Sequence, residues 1–193
     1  MPEEIAMAFA VLLAGARRLA ESMVVVCCFC GLLRVGEALA LSRDSFAFGA
    51  GQLVILLRET KTRSHQRVAI ENPQVALFIS ELLTRVEGHR AVPTSYTTFR
   101  RLFLLGLEAL GCEHHSFSSH SMRRGGATTL FHRGVHLSDV MMRGRWSSES
   151  SCRLYVRTGE AALIAIDRER SASSDMVKLL AAMGPRVFVV PCI

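Results

Sequence analysis

Six side chains scattered over this 193-residue chain have the chemistry that breaking a phosphodiester requires. His120 and Arg123 stand three apart, Trp146 is the sole tryptophan, Tyr155 lies between Arg153 and Arg157, and Arg34 and Lys61 sit far upstream. Displacement at phosphorus concentrates negative charge on the non-bridging oxygens. Arg34 and Arg123 offer planar, bidentate donors to those oxygens, which a lysine cannot. His120 precedes Arg123 by about one helical turn, so both reach from one helix face. Trp146 adds an indole N–H donor and a packing surface. Tyr155 is the candidate nucleophile. Its phenol has an ordinary pKa of about 10, so it needs a proton acceptor such as His120 and a cationic surround. Tyr96, the other tyrosine, has no such neighbours.

The elements that must carry these groups can be read in order. Pro2-Glu3-Glu4 opens a helix, with proline in its first turn and carboxylates at the positive end of the dipole. A second helix runs from near Ala16 through Cys30 and is apolar almost all round, which marks it as buried. Arg34 and Glu37 follow among core-forming leucines. Alone they would be an ordinary ion pair on a solvated helix face, worth tenths of a kcal/mol. The apolar flanks predict that the pair is half-buried and that the arginine needs partners. Strands are expected over Asp44 to Phe48, Gln52 to Arg58 and Arg67 to Ile70, with Lys61 at the tip or shoulder of a basic hairpin from Thr60 to Gln66. Helices are expected from Pro73 to about Val86 and from Thr94 or Ser95 to Leu110, stopped by Gly111. Three more are expected over His120 to His132, His136 to Met142 (capped by Ser138 and Asp139) and Ser147 to Arg157. A last one covers Glu160 to Met183, before an apolar tail from Pro185 to Ile193. The fold class is therefore mainly α with a small three-stranded antiparallel sheet (α+β).

Bulk properties fit that picture and exclude several classes. Half the residues are hydrophobic and 21% are charged, so the chain forms a globular core rather than a disordered segment. It has 23 basic and 17 acidic residues, net +6, a balance that suits a polyanionic partner. Val24 to Leu33 is too short to cross a membrane, and Glu3-Glu4 is wrong for a secretion signal, so an intracellular protein is expected. The six cysteines form no disulfide framework. Cys27, Cys30, Cys112 and His114 have zinc-like spacing but lack the loop context, so no metal site is expected. His114, His115, His132 and His136 read as surface or linker residues.

The order Arg34, Lys61, His120-x-x-Arg123, Trp146, Tyr155 resembles the catalytic set of the tyrosine recombinases, the phage-integrase family. Twenty-three positions separate Arg123 from Trp146 and nine separate Trp146 from Tyr155, as in that family. The likeness extends over about residues 3 to 183. His120 to Thr128 also resembles versions carried by eukaryotic mobile elements of the DIRS-like type. Two departures stand out. Gly31-Leu32-Leu33-Arg34 is one residue longer than the family's G-L-R, and only 33 residues precede Arg34, where relatives carry a separate DNA-clamping domain.

The resemblance implies a recombinase catalytic-domain fold over residues 1–184, an apolar tail over 185–193, and no N-terminal core-binding domain in this chain. It implies a DNA strand transferase that makes a 3′-phosphotyrosyl link through Tyr155 and frees a 5′-hydroxyl, without metal, ATP or other cofactor. Lys61 would protonate the departing 5′ oxygen, and Glu37 would orient a catalytic cation. Arg63, Arg67, Arg124, Arg145 and Arg153 are candidate contacts to the DNA backbone. The expected partners are double-stranded DNA and further copies of the chain in dimers or tetramers, with no membrane. The expected location is the nucleus in a eukaryote and the cytoplasm otherwise. Relaxation of DNA as by a type IB topoisomerase, or an inactive DNA-binding derivative, are the alternatives.

Overall fold

The computed structural model describes residues 1–49, 51–59 and 64–169 of the chain. Lys61, Arg63 and the tail from 185 to 193 lie outside the described residues. The long second helix of the sequence reading is the centre of the molecule. This helix, α2 (Leu19–Cys30), packs against α1 (Glu3–Gly15), α4 (Pro73–Arg85) and α6 (His120–His132). Every residue from Ala20 to Phe29 is buried, because packing on several sides leaves no face for water. Its one buried carboxylate, Glu21, accepts a 2.8 Å hydrogen bond from the Thr94 hydroxyl, which offsets the cost of burial.

The sheet has the order β1 (Phe46–Gly49), β2 (Gln52–Glu59), β3 (Ser64–Ile70), antiparallel throughout. Leu53, Ile55 and Leu57 alternate inward from β2 and meet Val68 and Ile70 of β3, while Arg67 and Ala69 face out. Two boundaries differ from expectation. Asp44 lies in a 3-10 turn, Arg43–Ser45, whose Ser42 and Ser45 satisfy one another, so β1 starts later. The third strand begins at Ser64 rather than Arg67, because Glu59 still pairs with Ser64 across the hairpin.

The remaining helices are α3 (Val35–Leu39), α5 (Tyr96–Ala109), α7 (Leu137–Gly144) and α8 (Glu149–Glu169). Asn72 and Ser95 cap α4 and α5 by accepting hydrogen bonds from backbone N–H groups of their first turns. For α7 the cap is His136, whose Nδ1 accepts from Ser138 N, and not Ser138 or Asp139 as expected. The largest correction concerns α8. The two helices expected over Ser147 to Arg157 and from Glu160 are one, unbroken at Thr158-Gly159 as far as Glu169, and the rest of the second expectation, to Met183, lies outside the described residues. Gly159 is there for closeness: a Cβ on it would lie 1.9 Å from Thr128 Oγ1 of α6. The main core joins α1, α2, α4, α5 and the sheet, and a smaller cluster of Leu32, Ala127, Val140 and Cys152 lies under α6, α7 and α8.

Candidate active site

The site begins where α2 ends. In the long Gly31-Leu32-Leu33-Arg34 connection, Leu32 takes a left-handed backbone (φ 49°) although it is fully buried. That conformation costs a non-glycine residue about 1 kcal/mol. Its carbonyl accepts a 2.7 Å hydrogen bond from Arg123 Nη1, so the unfavourable turn serves an arginine 91 residues downstream. Two residues on, Arg34 is the N-cap of α3, and the Glu37 carboxylate accepts from both its backbone N–H (2.8 Å) and its Nη1 (2.7 Å). Glu37 is 7% exposed and Arg34 is 33% exposed. The pair is thus half-buried, with the carboxylate inside and one side of the guanidinium open.

Arg123 comes from the first turns of α6. Gly126 lets that helix approach the end of α2, since a Cβ there would sit 2.0 Å from Phe29 O. Arg123 is 2% exposed and gives its second Nη to Gly144 O, the last residue of α7. Its guanidinium carbon lies 4.6 Å from the centre of the Trp146 ring, an arrangement worth about 2 kcal/mol when desolvated. Burial, then the like charges of Arg34 and Arg145, push its pKa down to about 10, so it remains a cation at neutral pH. Its Nε is buried without a hydrogen-bond partner among the described residues.

The turn after α7 connects the rest. Gly144 is held against the Trp146 ring, where any Cβ would fall within 1.8 Å of a ring carbon. Arg145 follows in a left-handed conformation (φ 58°) and reaches Glu37 Oε2 at 2.5 Å. The Trp146 ring lies 5.2 Å from that of Tyr155, tilted by 59°. Tyr155 is half-buried on α8, with the Arg124 guanidinium 5.8 Å from its ring centre.

Arg34, Arg123, Trp146 and Tyr155 therefore line one open cleft of about 460 Å³, together with Gln66, Met142, Arg145, Ser147 and Ser151. His120 is exposed at the start of α6, one turn before Arg123, and does not belong to that lining. Of the other cations, Arg67 is exposed on β3. Arg153 pairs with Glu149 at 2.7 Å on the outer face of α8. Arg145, expected at the DNA-facing surface, is only 8% exposed, because its carboxylate partner lies inside. Arg124 is likewise half-buried, turned toward Tyr155 rather than outward. The sequence did hold a signal for Arg145. A residue just past a helix end commonly adopts the left-handed conformation and is usually glycine, so an arginine in that slot beside Trp146 stands out. Among the described residues no three His, Cys, Asp or Glu side chains gather as a metal site, and no helix is long and apolar enough to cross a membrane.

The fold is similar to that of the XerH site-specific recombinase bound to its difH substrate in a pre-cleavage complex. That match has a TM-score of 0.66 and 18% identity, and covers 84% of this chain and 51% of that one. A XerA recombinase matches with a TM-score of 0.68 and 14% identity, over 90% of this chain and 65% of that one. The chain thus spans about half to two-thirds of the length of these proteins. No curated protein matches it in sequence. The model of the phage integrase family does match, over residues 14–161, a stretch that holds all six residues of the candidate set. The chain belongs to the phage integrase family.

Proposed function

We propose that this chain is the catalytic domain of a site-specific DNA recombinase that cuts and rejoins DNA through Tyr155. One observation carries the reading. Arg34, Arg123, Trp146 and Tyr155, drawn from four separate parts of the chain, line a single cleft that gathers the guanidiniums of Arg34, Arg123 and Arg145 with a phenol. Arg34 and Arg123 bind the non-bridging oxygens of the scissile phosphate and neutralise the charge that builds there. The Tyr155 oxygen attacks phosphorus and passes its proton to His120, while the bond to the 5′ oxygen breaks. Lys61 protonates that oxygen, leaving a 3′-phosphotyrosine and a 5′-hydroxyl. The covalent link conserves the phosphodiester energy, so a second 5′-hydroxyl reverses or redirects the step without ATP. Trp146 supports the Arg123 guanidinium from one side, and Glu37 holds Arg34.

The substrate is double-stranded DNA, bound by a domain of residues 1–184 with Arg63, Arg67, Arg124 and Arg153 near the backbone. Copies of the chain assemble on DNA as dimers or tetramers. Such a protein works in the nucleus of a eukaryote or the cytoplasm of a prokaryote, and a mobile element is its natural carrier.

The test uses a pool of nicked suicide duplexes of randomised sequence. Wild type should form an adduct that survives SDS, Tyr155→Phe should form none, and sequencing the trapped DNA gives the target site. An adduct that persists in Tyr155→Phe, or none from wild type across the pool, overturns the reading. Exchange of strands between two duplexes, as opposed to relaxation of one supercoiled circle, separates recombination from topoisomerase action.

A further inference from the structure

Arg145 combines two unfavourable conditions. Its backbone is left-handed, which glycine would adopt without strain, and its charged side chain is 92% removed from water. Nε and Nη1 are both buried without a hydrogen-bond partner among the described residues. Burial lowers its pKa against the opposing pull of Glu37. A left-handed arginine is not itself unusual in this chain: Arg17 has the same φ of 58° after α1, but it is exposed. What sets Arg145 apart is burial, and the one side-chain hydrogen bond described for it is to Glu37 Oε2. The same carboxylate oxygen accepts from the Arg34 backbone N–H, and the other oxygen accepts from Arg34 Nη1.

We propose that Arg145 is a positioning residue that pins the Glu37 carboxylate from below and so holds the Arg34 guanidinium at the cleft. Without it, Glu37 is fixed only by the residue it must itself fix, across the short α3 turn. With it, the carboxylate is anchored 108 residues away at the end of α7. The consecutive residues Gly144, Arg145 and Trp146 then serve the site in three ways: a carbonyl for Arg123, a guanidinium for Glu37, and a ring for both Arg123 and Tyr155. The inference rests on the phosphodiester reading of the cleft.

The experiment measures inorganic phosphate binding to the full chain by thermal shift, and adduct formation on the nicked-duplex pool. Wild type is compared with Arg145→Gly, Glu37→Gln and the double variant. Arg145→Gly should still unfold in one cooperative transition, because glycine suits φ 58° and offsets part of the cost of leaving the buried Glu37 carboxylate with one partner fewer. It should nevertheless bind phosphate about tenfold more weakly and form adduct about a hundredfold more slowly, the scale of a misplaced catalytic group. Millimolar guanidinium ion should restore part of that rate. The double variant should be no worse than the worse single one, since both act through one bond. Unchanged phosphate binding and rate in Arg145→Gly, or additive losses in the double variant, overturn the inference while leaving the cleft reading intact. A wild type that neither binds phosphate nor forms adduct overturns both.

Discussion

The two apolar clusters differ in what they hold up. The main one runs through α1, α2, α4, α5 and the sheet, and stacks Phe9 edge-on against Phe103 at 5.6 Å. It supports the turn that carries Arg34. The smaller one, among the described residues, has Leu32, Ala127, Val140 and Cys152 at its centre, with Trp146 packed against it, and it supports the segment that carries Tyr155. Among the described residues, Arg34 is thus built on the larger cluster, and Trp146 and Tyr155 on the smaller one. Opening free energy follows buried apolar area, so α7 and α8 should part from the body before α2 does.

Four substitutions probe that difference. Phe103→Ala should cost the most, about 4 kcal/mol, and lower the whole unfolding transition in urea; a loss under 1 kcal/mol would mean that the main core is not the stabilising one. Gly159→Ala attacks the seam between α6 and α8, where the added Cβ meets the Thr128 hydroxyl, and should cost about 3 kcal/mol. Thr128→Ala in the same chain should recover most of it, and a failure to do so would show that α8 is not keyed there. Val140→Ala removes two methyl groups from the small cluster and should cost about 2 kcal/mol. Its signature is local: amide exchange should speed up in α7 and α8 while α2 stays protected, and equal acceleration in α2 would abolish the distinction. Trp146→Phe keeps a ring but weakens the face offered to Arg123, and a fall of about 1 kcal/mol is expected by circular dichroism.

Local signals in the sequence revealed most of the fold. The apolar run of α2 announced burial, and the bounds of α6 follow from His120 and from the Arg133-Gly134 stop. The half-burial of Arg34 beside Glu37 was also readable, because their flanking leucines had to go inside. What escaped is non-local. Thr158-Gly159 looks like a break until Thr128 of another helix is seen filling the space a side chain would take. Arg145 looks like a surface cation until Glu37 is found next to it: its slot past a helix end marks the residue, but nothing within a helical turn of either one announces its partner. Arg124 over the Tyr155 ring is a third example, a contact that exists only once α6 and α8 have packed.

The acceptors of Arg123 have a consequence for how the chain comes together. One is 91 residues upstream at Leu32, just past the end of α2, and the other 21 residues downstream at Gly144, the last residue of α7. Until both helices have stopped in the right places, the guanidinium has nowhere to go. A half-finished chain emerging from the ribosome therefore contains α6 but not the cleft. The cutting chemistry proposed for this protein would stay silent until the last helices dock, so an unfinished chain could not act early.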